Sequence, residues 1–319
     1  MKISRTIKTL GGWILAAVLL YFLVRHLHKS WQEVASGDWK VDWPILALSG
    51  LMLIMAYLAL AQAWRKIIAG FGIAVPFIGA FRVMYLAQLG RYIPGKIWQV
   101  VGMVGLAKQI GVPSTVSLAS FALNQIYFLP AAFLVIPFLL GDPAKLESLK
   151  TAGNLFYFIC GAIVAIFLIL FFLPGGLNRA LNFALKILKK EPVSYSPSFY
   201  NRASIFILYI ISWILMGLSF RLFILTVSPE IVISYPFAAG TYIVSYVLGY
   251  LSFIAPGGLG VREAVMAGIL QAVMPFPSAT LLALANRFWI TVAEAFISLI
   301  ALLTYRLNKK EHSDNPNPR

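Results

Sequence analysis

Apolar residues in this chain are gathered into long runs, separated by short segments that carry charges, prolines or glycines. Five of the runs approach or exceed the roughly 20 residues that a helix needs to cross a bilayer core, and a shorter one lies near the start of the chain. The pattern predicts an all-α polytopic membrane protein with about six full spans. The predicted full spans are residues 11–24, 43–64, 116–140, 155–173, 205–227 and 280–304.

Four shorter apolar pieces form two pairs, and each pair is interrupted by a Pro-Gly break. The first pair is 76–90 with 97–110, and the second pair is 236–255 with 260–274. Each pair returns the chain to the side from which it entered, so the pattern leaves open whether the pieces cross fully or are re-entrant. The residues of this broken-helix motif are Pro94, Gly95, Pro256, Gly257, Gly258 and Gly260.

The breaks belong to an internal repeat with an offset of 162 residues. At this offset Pro94 matches Pro256, and Asn124 matches Asn286. We expect one transmembrane domain over 1–308, with repeat one at about 43–140, a connector helix at 155–173 and repeat two at about 205–304. The connector crosses once, so the second unit begins on the opposite side and the repeat is inverted. A polar tail over 309–319 is expected to be cytoplasmic and disordered.

Inverted repeats with interrupted helices are typical of secondary transporters, whose substrate sites lie where the broken helices meet. A half-helix that begins inside the membrane directs unpaired backbone N–H groups at the site, which favours a phosphate or carboxylate. The alternative is that each Pro-Gly break is an ordinary interfacial turn between short tilted helices.

The distribution of positive charge indicates the orientation of the chain. Fourteen Lys and Arg residues lie in predicted inside segments and five in outside segments, which places both termini in the cytoplasm. The N-terminal run has no small-residue cleavage site, so it is predicted to be an uncleaved helix. Residues 174–202 are predicted to be the central cytoplasmic loop. Because topology accounts for most of the net charge of +15, no nucleic-acid partner is expected.

Charges inside the predicted spans point to an anionic ligand. Of eleven acidic residues, only Glu263 and Glu294 lie in apolar segments, whereas six basic residues do, leaving a surplus of about four positive charges. Arg pairs well with phosphate through its bidentate fork. Arg82 and Arg221 lie near helix ends and are expected to reach the headgroups instead. The candidate substrate-binding residues are Arg91, Lys96, Trp98, Asn124, Gln125, Tyr127, Arg262, Glu263, Asn286, Arg287 and Glu294.

Seven of these candidates have a structural alternative, whereas Arg91, Lys96, Arg262 and Glu263, which lie beside the two breaks, favour a functional role. Arg287 and Glu294 are seven residues apart, on one helix face, where each could pair with another helix. Asn124, Gln125 and Asn286 are of the kind that forms hydrogen bonds between membrane helices. Trp98 and Tyr127 could be interfacial anchors.

The chain lacks the residues that intramembrane catalysis usually needs. Its histidines, His26, His28 and His312, lie outside the apolar segments, and neither an H-E-x-x-H nor a G-x-S-x-G motif occurs. We therefore expect no catalytic residues, no cofactor and no metal site, and hence a protein that is not an enzyme.

The segment from Ile254 to Glu263, IAPGGLGVRE, closely resembles the signature of the lysylphosphatidylglycerol synthase transmembrane region, a flippase-like membrane module of bacterial and archaeal proteins. The segment from Gly90 to Trp98, GRYIPGKIW, resembles an earlier block of that family. The resemblance covers nearly the whole chain and implies lipid translocation in the cytoplasmic membrane of a prokaryote. The chain ends fifteen residues after Thr304, so we expect a stand-alone member without the aminoacyltransferase domain.

These observations favour a flippase-like transporter that handles an anionic phospholipid or a lipid-linked headgroup. The alternative is a non-transporting accessory protein for a lipid-modifying enzyme or a glycosyltransferase. The expected partners are membrane lipid and, in the second case, that separate enzyme.

Overall fold

The structure, a computed structural model, describes residues 41–92, 97–139, 150–173, 175–187, 189–229, 231, 233–252 and 258–314. Every regular element in these ranges is helical. The helices are α1 (Trp43–Ala69), α2 (Phe77–Gln88), α3 (Trp98–Gln109), α4 (Ser114–Leu139), α5 (Lys150–Phe172), α6 (Gly176–Ile187), α7 (Phe199–Val227), α8 (Tyr235–Leu251), α9 (Val261–Leu270) and α10 (Phe276–Asp314). A 3₁₀ turn, Leu89–Tyr92, follows α2.

The all-α polytopic class is confirmed. Four helices are long and apolar enough to cross a membrane, namely α1, α4, α7 and α10, and they coincide with four of the predicted spans. The predicted span 155–173 forms part of α5, and the axes of α5 and α6 meet at 108°. The two helices are apolar and long enough for a fifth span only when they are counted as one segment. The predicted first span, 11–24, lies outside the described residues.

The predicted cytoplasmic loop over 174–202 needs a correction, because it contains the twelve-residue helix α6. Leu177, Leu181 and Leu185 recur every fourth residue and pack into the core. That spacing is the usual mark of a helix with one apolar face, and it was hidden by the prolines and charges around it. Likewise α10 continues to Asp314, into the segment 309–319 for which a disordered tail is expected.

The order of helix types repeats across the described chain. A long helix, two short helices and another long helix form the series α1–α4, and α7–α10 repeat that series after the connector α5 and α6. Pro113 and Pro275 directly precede α4 and α10, at equivalent positions of the two series. Asn124 and Asn286 each lie ten residues beyond the first residue of their helix. The opposite orientation of the two units in the membrane stays a prediction.

The two units pack through their long helices. α1 lies along α7, while α4 contacts α8 and α10 contacts α2, so each unit closes over the broken pair of the other. Between α1 and α7, the Ser49 hydroxyl donates to the Ser219 carbonyl oxygen at 2.9 Å. Trp289 Nε1 of α10 donates to the same Ser49 Oγ at 3.1 Å. Small polar side chains of this kind form hydrogen bonds between membrane helices, because lipid chains offer no competing hydrogen-bond partner.

Candidate functional site

The start of α9 is shaped by two glycines in left-handed backbone conformations. Gly258 has φ +71° and Gly260 has φ +80°, values that other residues adopt only at a cost. A Cβ on Gly258 would lie 2.6 Å from the Gly249 carbonyl oxygen, and a Cβ on Gly249 would lie 2.9 Å from the Arg262 Cβ. The end of α8 and the start of α9 therefore touch backbone to backbone, which holds Arg262 and Glu263 deep in the molecule.

Arg262 lies between two tyrosine rings of α8. Its guanidinium carbon is 4.9 Å from the Tyr242 ring centroid and 4.6 Å from that of Tyr246, within the range of cation–π attraction. The residue is only 5% exposed, yet its Nη2 atom has no hydrogen-bond partner among the described residues. A buried guanidinium donor without an acceptor is costly, so this atom is suited to meet an anionic group.

Glu263, which is 2% exposed, uses its two carboxylate oxygens differently. Oε2 accepts a hydrogen bond from the Gly260 backbone N–H at 2.7 Å, which caps α9. Oε1 lies 3.5 Å from Arg287 Nε on α10 and forms an ion pair with it, but accepts no hydrogen bond from the described residues. Arg262, Glu263 and Arg287, hereafter the arginine cluster, thus contain two guanidinium groups and one carboxylate.

Two further candidates on α10 have partners on other helices. Asn286 Nδ2 lies 3.7 Å from Met266 Sδ on α9, a weak contact. Glu294 accepts from the Tyr57 hydroxyl of α1 at 3.4 Å and is also buried. Arg287 and Glu294 are two turns apart on α10, and each contacts another helix as expected: Arg287 contacts α9 and Glu294 contacts α1.

Asn124 and Tyr127 lie in an aromatic core between α4 and α7. The Tyr209 hydroxyl donates to Asn124 Oδ1 at 2.5 Å, and the Tyr209 ring stacks on Tyr127 with centroids 6.3 Å apart. Phe128 packs against both Tyr209 and Tyr246, so this core reaches the ring that covers Arg262. In this conformation Asn124 forms a hydrogen bond between helices, which is the structural alternative given above, whereas Tyr127 is buried in the core.

The remaining candidates are not brought to the arginine cluster by any described contact. Trp98, at the first position of α3, is 46% exposed, and Gln125 is half-buried on α4. The backbone of Arg91 lies in the 3₁₀ turn after α2. The side chain of Arg91 and the whole of Lys96, Pro94, Gly95, Pro256 and Gly257 lie outside what the structure describes.

Arg82 and Arg221, which are expected to reach the headgroups, donate hydrogen bonds to protein oxygens. Arg82 donates to the Thr304 hydroxyl at 3.2 Å and to the Thr304 carbonyl oxygen. Arg221 Nε donates to the Ile233 carbonyl oxygen at 3.3 Å. These bonds connect α2 to α10 and α7 to the segment before α8, so both arginines have structural roles.

Sequence reasoning missed the two tyrosines that hold Arg262. Tyr242, Tyr246 and Tyr250 recur every fourth residue and so share one face of α8. That spacing was visible, but a tyrosine stripe on an apolar helix is equally typical of plain core packing.

A cavity of about 300 Å³ lies apart from the arginine cluster, at the junction of α5, α6 and α7. Burial raises the pKa of Tyr195, which lines this cavity, above its ordinary value. Arg202 also lines it and donates to the Phe171 carbonyl oxygen. Arg202 Nε is likewise buried without a hydrogen-bond partner among the described residues. We assign the candidate site to the arginine cluster because Arg262 is almost fully buried and lies beside a second arginine and a single carboxylate.

Comparison with known proteins bears on the identity of the chain. No curated protein matches the sequence. The model of one protein family, described as the lysylphosphatidylglycerol synthase TM region, matches residues 9–300. This match includes both broken helix pairs, all the candidate residues and every helix from α1 to α9. The chain belongs to the lysylphosphatidylglycerol synthase transmembrane-region family, and it is a multi-pass membrane protein of a family linked to lipid handling.

Proposed function

We propose that the protein moves an anionic phospholipid, or a lipid with a phosphate-linked headgroup, between the leaflets of a prokaryotic cytoplasmic membrane, with both of its termini in the cytoplasm. The observation that carries the proposal is the Nη2 atom of buried Arg262, which has no hydrogen-bond partner in the part of the chain that the structure describes. It belongs to a cluster in which two guanidinium groups face a single carboxylate. A phosphate would supply the acceptor that this donor lacks and offset the surplus positive charge.

Substrate access requires movement, since Arg262 is almost fully buried in this conformation. The backbone contact between Gly249 and Gly258 ties α9 to α8, so we expect these two helices to move as one body. Their outer contacts are with α7 and α10 of the same unit and with α4 of the other unit. Separation along those contacts would open the cluster to one leaflet at a time, as alternating access demands.

The test is lipid exchange in proteoliposomes that carry a fluorescent phosphatidylglycerol, a zwitterionic phospholipid or a polyprenyl-phosphate-linked sugar. Wild-type protein should speed movement of at least one anionic lipid between leaflets over empty vesicles. No acceleration for any of these lipids would contradict the transport function.

The Arg262→Gln variant tests the role of the cluster. It should slow exchange about ten- to hundred-fold, because a charged hydrogen bond contributes about 1.5–3 kcal/mol. Arg262→Lys should be intermediate, since lysine keeps the charge but loses the planar fork. Arg221→Gln, which removes an arginine bound to a backbone carbonyl, is the matched control and should exchange lipid at the wild-type rate. Equal loss in Arg262→Gln and Arg221→Gln would remove the cluster from the site.

A second function, an accessory protein for a lipid-modifying enzyme, draws support from exposed basic residues on and after α6, namely Arg179, Lys186, Lys189 and Lys190. This function predicts that a partner enzyme co-purifies with the chain and loses activity without it, while the Arg262→Gln variant still supports that enzyme. Failure of both the lipid exchange and the co-purification would leave neither function standing.

A further inference from the structure

The bend between α5 and α6 is built into the backbone. Gly175 adopts φ +69°, and a Cβ on Gly176 would lie 2.5 Å from the Leu170 carbonyl oxygen. The two glycines therefore permit a turn that bulkier residues would resist, and the helices meet at 108°. If α5 runs along the bilayer normal, a helix at 108° to it lies close to the membrane plane.

One face of α6 is fixed to the protein. Leu177, Leu181 and Leu185 are buried in the main core. Asn182 exchanges two hydrogen bonds with the backbone of Val193, at 3.0 and 2.9 Å, and Asn178 Oδ1 accepts from the Tyr195 N–H at 3.0 Å. These bonds occupy the polar side of the helix next to the leucines.

The end of α6 is equally well defined. Lys189 adopts φ +54°, its N–H bonds to the Lys186 carbonyl oxygen, and the Lys190 N–H bonds to the Leu185 carbonyl oxygen. This pair of bonds is the Schellman motif, which stops a helix at a fixed residue. The helix is therefore an ordered element with a set orientation.

The protein covers only part of the apolar arc of α6. Phe183 and Ile187 are both 68% exposed, and half-buried Ala180 and Ala184 lie between them and the buried leucines. At about 100° per residue, the apolar residues form one continuous arc roughly 200° wide. Exposed Arg179 and Lys186 border that arc, and Lys189 and Lys190 follow the helix end. Phe172, Phe199 and Tyr200, at the neighbouring ends of α5 and α7, are exposed as well.

We propose that α6 is an interfacial helix that binds the anionic surface of the bilayer, with Phe183 and Ile187 inserted among the lipid chains. Arg179, Lys186, Lys189 and Lys190 then lie at the level of the headgroup phosphates. An apolar arc bordered by basic residues is the composition that such helices use, and anionic lipids of the cytoplasmic leaflet attract the positive charge. The aromatic side chains at the ends of α5 and α7 fit the same level, where aromatic belts form. This surface is distinct from the arginine cluster and does not depend on transport.

The test uses a fluorophore whose emission is quenched by nitroxide. In a Cys160→Ser background, the label is attached in turn at Phe183→Cys and Lys186→Cys, in full-length protein in nanodiscs. Nitroxide-bearing lipid should quench the label at position 183 several-fold more than the label at 186. Iodide in the water should show the reverse order. Quenching of both labels by iodide alone would place α6 in the aqueous phase, as a docking surface for a soluble enzyme requires, and would overturn the proposal.

The charge contribution is tested with the label at position 183 and the variant Arg179→Gln/Lys186→Gln/Lys190→Gln. Wild-type residues should give several-fold stronger quenching by nitroxide phosphatidylglycerol than by nitroxide phosphatidylcholine at low salt. The triple variant should lose this preference, while the control Arg306→Gln/Lys309→Gln/Lys310→Gln, which removes as many charges near the C-terminus, should keep it. An unchanged preference for phosphatidylglycerol in the triple variant would contradict the proposal. So would a label at position 183 that neither quencher reaches, as expected if a second copy of the chain covers α6.

Discussion

Glu263 shows how one residue can serve both folding and function. One oxygen satisfies the Gly260 N–H at the start of α9, and the other lies 3.5 Å from Arg287. Because the carboxylate is buried, both tasks take place where water cannot replace a lost partner. The negative charge of Glu263 in the first turn of α9 is favourable at a helix N-terminus, whereas the positive charge of Arg262 is not. Arg262 has two aromatic neighbours, and within the described ranges its Nη2 atom has no acceptor.

The two tasks of Glu263 can be separated by substitution. In Glu263→Gln the amide oxygen can still accept from Gly260, so α9 stays capped while the ion pair with Arg287 is lost. Glu263→Ala loses both, with about 0.5–2 kcal/mol from the cap alone. We expect the thermal unfolding temperature in detergent to fall more for Glu263→Ala than for Glu263→Gln. Exposed Glu191→Gln should leave it unchanged. An equal fall for both substitutions would show that the cap contributes nothing measurable.

At the scale of elements, the break between α8 and α9 depends on close backbone contact more than on any side chain. Gly249 and Gly258 bring the end of α8 against the start of α9. In the first unit, a Cβ on Gly90 would lie 2.7 Å from the backbone of Trp98 and Gln99, so the turn after α2 meets the start of α3 in the same way. The two broken pairs therefore share a backbone contact that a glycine permits.

Two glycines near α9 give a matched comparison. Gly258→Ala should destabilise the protein, because alanine at φ +71° costs about 1–2 kcal/mol and its Cβ would also meet the Gly249 carbonyl oxygen. Gly268→Ala, inside α9 with open space around it, should be neutral or stabilising by up to about 1 kcal/mol. Thermal unfolding followed by size-exclusion chromatography measures both. A stable Gly258→Ala protein would contradict the close contact.

At the scale of the molecule, the two units cover each other's broken pairs through the contacts of α4 with α8 and of α10 with α2. Hydroxyl groups recur across the units: Tyr209 of α7 donates to Asn124 of α4, and Tyr57 of α1 donates to Glu294 of α10. These two contacts join the two units. These contacts do not determine whether the two units have opposite orientations in the membrane, which an accessibility measurement tests.

Single cysteines in equivalent loops test the inversion. Ala74, between α1 and α2, and Pro229, between α7 and α8, are both exposed. In a Cys160→Ser background, Pro229→Cys should react with a membrane-impermeant maleimide in intact cells. Ala74→Cys should react only after the cells are opened, because an inverted repeat places the two loops on opposite sides. Labelling of both from the same side would show that the units are parallel.

The sequence by itself determined the membrane class, four of the long helices, the family and the order of the two units. The family followed from the resemblance of two motifs. The other features follow from hydrophobic run length and from prolines and glycines, which act locally along the chain. Tertiary structure decided which polar groups meet. The Tyr242 and Tyr246 rings on Arg262, the carbonyl partners of Arg82 and Arg221, and the packing that makes α6 a helix all join residues on different elements. In a low-dielectric interior the energy of a charge depends on those neighbours, and no local pattern specifies them.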